Sequence, residues 1–492
     1  MHTKRRLAAF IGFIIFGLSF TACAQQENIT YSKEIEEKIK QVENNLGGWV
    51  QLQGNTKEQS LQQRMAFYKI RGLSMAVVHN YKIEWARGYG LADTATQKPV
   101  TAQTLFQAAS ISKSLNAVGI LKLAQDKKID LYTDINHYLT TWKFPYDSLS
   151  KGKKITIANL LSHSAGLSIH GFPGYKRGDT IPSVKEVLNG LRPANTQGVR
   201  SEFEPGLRMQ YSGGGTTISQ LIVMDVVNEP YDVYMWKNVL EPLGMKMSSY
   251  AQPPTADKEI FLATGYHADG KEVEKKYHVY PEQAAAGLWT NPTDLSKYMV
   301  ETQLSLQGKS NKVLSMEMTK LRLTPYIDKA AAFGVFIEEK GKEKYFGHNG
   351  ANAGFLSSYT GSLENGNGVV IMVNSENGAI MNEVINSVAQ VYGWKDYYKP
   401  VVKKVVPVSD SLLDAYAGNY VLGSDTINIS REGTEILLTV NRTDTHIIYF
   451  SSPEDFFSRD IQIEFKFEKD TTGKVKDVYF KQGDKELRAK KL

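Results

Sequence analysis

The chain has 492 residues, 42% of them hydrophobic and 22% charged, with 40 Gly and 16 Pro. This composition is that of ordinary globular protein and excludes collagen-like, mucin-like and largely disordered chains. A single cysteine excludes an intrachain disulfide framework and a cysteine-built zinc site. The length offers enough burial to do without either. The formal charge is +6, but Lys4, Arg5 and Arg6 supply half of that excess, and what remains gives no footing for nucleic-acid binding.

Those three basic residues open an export signal over residues 1–24. The apolar run Leu7–Ala22 is shorter than the roughly 20 residues a membrane span needs. Phe20-Thr21-Ala22-Cys23 looks like a lipoprotein signal, with Cys23 the lipidated residue. Ala22-Cys23-Ala24 also suits ordinary cleavage before Gln25, and a retained anchor is a third reading. All three place the body outside the cytoplasm, in the periplasm or cell envelope, with membrane contact through a lipid anchor at Cys23.

Residues 25–69 form an N-terminal helical segment, in which Ile35, Ile39, Val42 and Leu46 recur at helical spacing. Leu73–Val78 and Ile83–Trp85 read as a hairpin turning over His79–Lys82. The middle third is mostly helix and loop. Asn291-Pro292-Thr293-Asp294 is a helix start, with a capping residue, a first-position proline and a first-turn carboxylate. Strand signals return at Phe333–Ile337, Phe355–Tyr359 and Gly368–Val373. The last is continuously apolar, as in a strand covered on both faces. A helix with Ile380, Val384, Ile385, Val388 and Val391 on its stripe follows. The result is an α+β domain over 70–393, its sheet closed by segments far apart in sequence. Residues 394–411 read as a linker. Short alternating runs over 412–492 make a small all-β module.

Several chemistries are absent as motifs. There is no Gly-x-Ser-x-Gly elbow, phosphate-cradling loop, Gly-x-Gly-x-x-Gly or His-Glu-x-x-His, so neither a nucleotide cofactor nor a helix-borne metal is expected. Ser-x-x-Lys occurs three times. Ser148–Lys151 and Ser150–Lys153 lie in a polar segment and read as solvated loop. Ser110–Lys113 instead opens an apolar-striped helix, where residues three apart share a face and the lysine nitrogen reaches the serine hydroxyl. Serine attacks well only when a base takes its proton, and an amine does so when burial or nearby cations favour its neutral form. The bland alternative is a helix cap beside an exposed lysine. Tyr211-Ser212-Gly213 supplies a phenol able to relay a proton, or else a core tyrosine before a glycine turn. Gly347-His348-Asn349-Gly350-Ala351 supplies a histidine and a strand edge able to offer N–H groups to an oxyanion, or else a turn between strands.

In that order, these three elements resemble the serine β-lactamase and penicillin-binding peptidase superfamily, in its class C-like branch. Leu160-Leu-Ser-His163-Ser-Ala-Gly166-Leu and Ala286-Gly287-Leu-Trp289-Thr add to the likeness, which covers about residues 70–393. The resemblance implies an antiparallel sheet with helices on both faces plus a mainly helical subdomain, followed by the small β module. It implies Ser110 as acylated nucleophile, Lys113 and Tyr211 as its proton acceptors, and His348 where many relatives carry the lysine of Lys-Thr-Gly. The Ser110 and Ala351 N–H groups would form the oxyanion hole, with Gly350, Gly213 and Trp289 lining the substrate. The family's Tyr-x-Asn is Tyr-Ser-Gly here, so Gly213 brings no side-chain amide, and His348 is partly neutral near pH 7. Both departures weaken β-lactam hydrolysis and leave acyl transfer intact. The expected function is cleavage of a small amide or ester, peptidase-like on D-amino-acid-containing peptides such as cell-wall stems. A carboxylesterase, a weak β-lactamase, a non-turnover cell-wall sensor and a structural lipoprotein are the alternatives.

Overall fold

The computed structural model describes residues 30–53, 59–423, 425–433, 435–440, 444–459, 464–482 and 485–492. The expected export signal over 1–24, with Cys23, lies outside them. From Ser32 onward the chain forms one unit.

Helix α1 (Lys33–Asn44) follows the expected apolar stripe and buries Ile39 and Val42. The hairpin strands are β1 (Gly72–His79) and β2 (Lys82–Asp93). Asn80 and Tyr81 turn between them with φ of 51° and 61°, as a two-residue hairpin turn demands. A short edge strand β3 (Lys98–Pro99) follows. Late in the chain come β4 (Phe336–Lys340), β5 (Glu343–Asn352), β6 (Phe355–Ser362) and β7 (Gly368–Val373). They form one antiparallel sheet in the order β3-β2-β1-β7-β6-β5-β4. Early and late segments meet where β1 pairs with β7, Val77 opposite Val369 and Leu73 opposite Val373. Every residue of β7 is buried, because both faces of the sheet are covered.

Between the two halves of the sheet run α2 (Ser112–Gln125), α3 (Gly213–Val227), the short α4 (Gln283–Ala286) and α5 (Pro292–Leu306). α5 packs on β1, β2, β6 and β7. It starts as its sequence suggests, with Asn291 accepting from the Asp294 N–H at 2.8 Å. α6 (Ala379–Val391) packs on β7 and against α1. α2 is buried almost all round, including Lys113 and Asn116, which places it inside the helical region rather than on it.

Residues 394–411 are more ordered than a linker. Trp394 and Tyr397 are buried and meet Tyr345 with ring centroids 5.8 and 4.8 Å away. Val401–Lys403 pairs in parallel with Val50–Leu52, and a helix begins at Asp410, capped by Ser409. Aromatic burial and strand pairing fasten what its polar and Pro-containing sequence suggested was loose. Beyond it, eight strands from Gly418–Leu422 to Lys485–Lys491 close into a barrel. Its interior is filled by Tyr416, Tyr420, Phe450, Phe456, Phe465 and Phe467, among others. The Val50 N–H donates to the Arg459 carbonyl at 3.1 Å, and the Val406 N–H to the Phe450 carbonyl at 2.8 Å, so barrel and sheet domain touch through these segments.

Candidate active site

Ser110 sits in a single 3-10 turn, Ala109–Ile111, immediately before α2. Ala109 has φ of 50°, a left-handed conformation that costs a non-glycine residue energy and calls for support from its surroundings. That support is visible. The Ala108 N–H donates to the Leu288 carbonyl at 2.8 Å, and Ser112 Oγ donates to the Ala109 carbonyl at 2.6 Å while accepting from the Leu288 N–H at 3.0 Å. The Ser110 side chain caps no helix.

One turn on, Lys113 is 4% exposed, so it is not the solvated lysine of a mere cap. Its Nζ donates to Ser110 Oγ at 3.1 Å and to the Ala285 carbonyl, on α4, at 2.7 Å. The same nitrogen stands 5.0 Å from the centre of the Tyr211 ring. Serine, lysine and tyrosine are thus gathered in one place, from segments a hundred residues apart.

Tyr211 is held by the loop over 163–170. The His170 Nδ1–H donates to the Tyr211 carbonyl at 2.5 Å. The Ser212 N–H donates to His163 Nδ1 at 3.2 Å, and Ser212 Oγ caps α3 by accepting from the Gly215 N–H at 2.9 Å. The His163 ring lies 4.2 Å from that of Tyr211. Burial, then the Lys113 charge, holds the His163 imidazole well below its usual range, so it packs as a neutral ring. Only the Leu-Leu-x-His segment hinted at this residue. At Gly213, an added Cβ would come within 2.9 Å of the Phe172 ring, so the loop already fills the space a longer side chain would need.

His348 lies within β5, not in a turn ahead of β6. It is 6% exposed, and its ring stands 6.1 Å from Tyr211 and 5.4 Å from Phe336. Its Nδ1 lies 2.6 Å from the Asn349 carbonyl, which can only accept, so Nδ1 carries the hydrogen and Nε2 is a bare acceptor. Nε2 is buried with no hydrogen-bond partner among the described residues. Burial and the Lys113 charge push the His348 pKa down to about 3. At neutral pH the ring is wholly uncharged, not partly so.

β4 pairs with β5 only as far as Gly347 opposite Phe336. Past that point the edge of β5, carrying His348 to Asn352, packs against the Ser110 turn. The approach is close: a Cβ on Gly350 would sit 2.2 Å from the Ala108 carbonyl oxygen. Ala351 stands exposed on this edge. Asn352 fixes the edge by donating to Gln107 Oε1 at 2.8 Å and to the Ala286 carbonyl at 3.1 Å. Neither it nor Gln107 was signalled by sequence.

Two further expectations fail. Trp289 does not line the site: it is 1% exposed and packs edge-on against Tyr277 and Phe355 in the core. Ser150 is not solvated: it is 1% exposed, with its Oγ 2.9 Å from that of Ser201. A local polar run hid a buried hydroxyl pair.

A family model described as Beta-lactamase matches residues 58–390. Protein flp of Staphylococcus aureus (strain N315) is 24% identical over 330 residues, covering 67% of this chain and 64% of that protein. The chain therefore spans about 64% of the length of these curated relatives. The octameric penicillin-binding protein homologue from Pyrococcus abyssi superposes with a TM-score of 0.62 at 20% identity, over 87% of this chain and 98% of that one. D-amino acid amidase from Ochrobactrum anthropi SV3 superposes with a TM-score of 0.56 at 20% identity, over 73% and 98%. At such identities these two likenesses establish the fold.

Proposed function

Because the chain belongs to the β-lactamase family, we propose that it is a serine hydrolase that opens a small amide or ester through an acyl-enzyme on Ser110. The observation that carries this reading is the Lys113 Nζ, 3.1 Å from Ser110 Oγ and seated over the Tyr211 ring. Ser110 Oγ attacks the carbonyl carbon, and its proton passes to the Lys113–Tyr211 pair and then to the leaving amine or alcohol. Water activated by Tyr211 then releases the acyl group. The Ser110 and Ala351 N–H groups are the proposed oxyanion donors, each supplying on the order of 3 kcal/mol of barrier lowering.

The substrate class proposed is a peptide or amide containing a D-amino acid. A likeness to a D-amino acid amidase supports it at the level of fold. The state of His348 adds a restriction. A neutral ring whose bare nitrogen only accepts hydrogen bonds suits a substrate N–H or O–H better than a carboxylate. The reading therefore favours amide, ester or amino-terminal cleavage over trimming of a free carboxyl terminus. The proposed setting is the cell envelope, on the strength of the leader and Cys23. A sensor that acylates without turnover is the second reading, favoured by Gly213, where the family's asparagine amide is missing.

A fluorophosphonate probe and a chromogenic ester test both readings. Labelling and turnover that disappear in Ser110→Ala support the enzyme, whereas labelling without turnover supports the sensor. Tyr211→Phe should cut turnover at least about tenfold, on the order of 1.4 kcal/mol, while the melting temperature stays close to the parent. Absence of labelling in the parent protein would overturn the acyl-enzyme.

A further inference from the structure

A cleft of about 440 Å³ lies across β4, β5 and β6 and is bounded by α6 and by residues from both ends of the sheet domain. We infer that this cleft is a saccharide subsite, built to hold an uncharged or N-acetylated sugar carried by the substrate. The inference deepens the hydrolase reading and rests on it for the link to catalysis.

The lining has the chemistry of sugar recognition. Trp49 and Tyr397 contribute aromatic rings. Asn349 and Asn382 contribute exposed amides, and Ser358 and Thr360 contribute hydroxyls. A side-chain amide offers donor and acceptor together, matching neighbouring hydroxyls or an acetamido group, while an aromatic face suits the C–H face of a pyranose. Asn349 Oδ1 accepts from Ser358 Oγ at 2.8 Å, and its amide N–H groups have no partner among the described residues. Asn382 makes no side-chain hydrogen bond among the described residues and is exposed.

Charge narrows the ligand. Among the described residues, the only charged side chains lining the cleft are Glu338 and Lys340, and they pair with each other at 2.5 Å. A cleft without net charge is a poor receptor for phosphate or nucleotide. The Lys340 ammonium sits 5.4 Å from the Trp49 ring centre and 5.6 Å from that of Tyr397. Both rings therefore turn a face toward the same space, the faces a sugar would use on displacing that flexible side chain.

The cleft is a built feature. Trp49 is set in place where Asn386 Nδ2 donates to the Gly47 carbonyl at 3.1 Å and the Tyr398 hydroxyl donates to the Gly48 carbonyl at 2.8 Å. Its other end runs to Phe336 and to the backbone of His348, whose ring turns with Tyr359 to the opposite face of the sheet, toward Tyr211. A ligand leaving the cleft reaches the Ser110 side of the sheet only over the edge of β5 beyond Gly347, which β4 leaves unpaired, so a glycopeptide would hold its sugar here and pass its peptide across that edge.

Saturation-transfer NMR of the full chain with chitotriose tests the subsite without requiring turnover, and the same measurement on Ser110→Ala separates it from the hydrolase reading. Binding should appear in both proteins. Asn382→Ala, an exposed substitution outside the catalytic cluster, should weaken binding about fivefold, the equivalent of one hydrogen bond of about 1 kcal/mol. Trp49→Ala should abolish it, and hydrolysis of a short chromogenic ester should be unchanged in Asn382→Ala. No binding of chitotriose, or binding that survives both substitutions, would overturn the subsite. Binding of a D-alanyl peptide that is lost in Asn382→Ala, with no chitotriose signal, would make the cleft a peptide site and likewise overturn it.

Discussion

His348 shows how far one side chain's surroundings set its chemistry. With its pKa near 3 in the fold and about 6.5 unfolded, the ring takes up a proton more readily in the unfolded chain. Its contribution to stability is therefore present above pH 6.5 and lost as the pH falls toward 3, at up to about 1.4 kcal/mol per pH unit. Glu282 works the other way. Wholly buried, with no partner among the described residues beyond its own residue's backbone, its carboxyl is pushed up to about 7. It favours the fold below pH 4.5 and loses that contribution as the pH rises toward 7. The two slopes offset each other between pH 4.5 and 6.5, which hides each from a single titration. The difference between parent and His348→Gln isolates the histidine. Urea unfolding should show the parent losing about 1–2 kcal/mol relative to the variant between pH 6.5 and 5.

At the scale of the element, β5 is the strand that sequence reading missed and that the site most needs. Gly347, Asn349 and Gly350 are poor strand formers, and the segment reads either as a strand edge or as a turn. The structure explains the glycines by space. A Cβ at Gly347 would meet the Tyr359 carbonyl oxygen at 2.5 Å, and one at Gly350 the Ala108 carbonyl oxygen at 2.2 Å. Neither backbone neighbour can yield as a flexible side chain does. Gly350→Ala should cost about 2–3 kcal/mol by thermal melting and should lower fluorophosphonate labelling, because the strand edge and the Ser110 turn must separate. What could be read in advance had a periodic or punctuated signal: the β1–β2 hairpin, the apolar β7, the capped start of α5, and the Ser110–Lys113 spacing. Trp289, Gln107, Asn352 and Phe336 owe their positions to packing across the fold. A tryptophan in a motif looks the same on paper whether it faces ligand or core.

For the molecule as a whole, the sheet domain and the barrel each bury their own core. In the barrel, Phe467 stacks on Tyr416 with ring centroids 3.7 Å apart and planes within 3°. Phe467→Ala should cost the barrel about 3–5 kcal/mol. Scanning calorimetry should then show one transition moving while the transition that tracks ester turnover stays in place. If both move together, the bonds from Val50 to Arg459 and from Val406 to Phe450 couple the two cores.

The clasp between Val50–Leu52 and Val401–Lys403 also bears on where the working protein begins and ends. Trimming to the family's own borders, 58–390, would retain Ser110, Lys113, Tyr211 and His348. It would discard Trp49 and Tyr397 together, and with them both aromatic walls of the cleft on the α6 face of the sheet. On the subsite reading, such a shortened protein would still turn over a small ester and would no longer bind a saccharide.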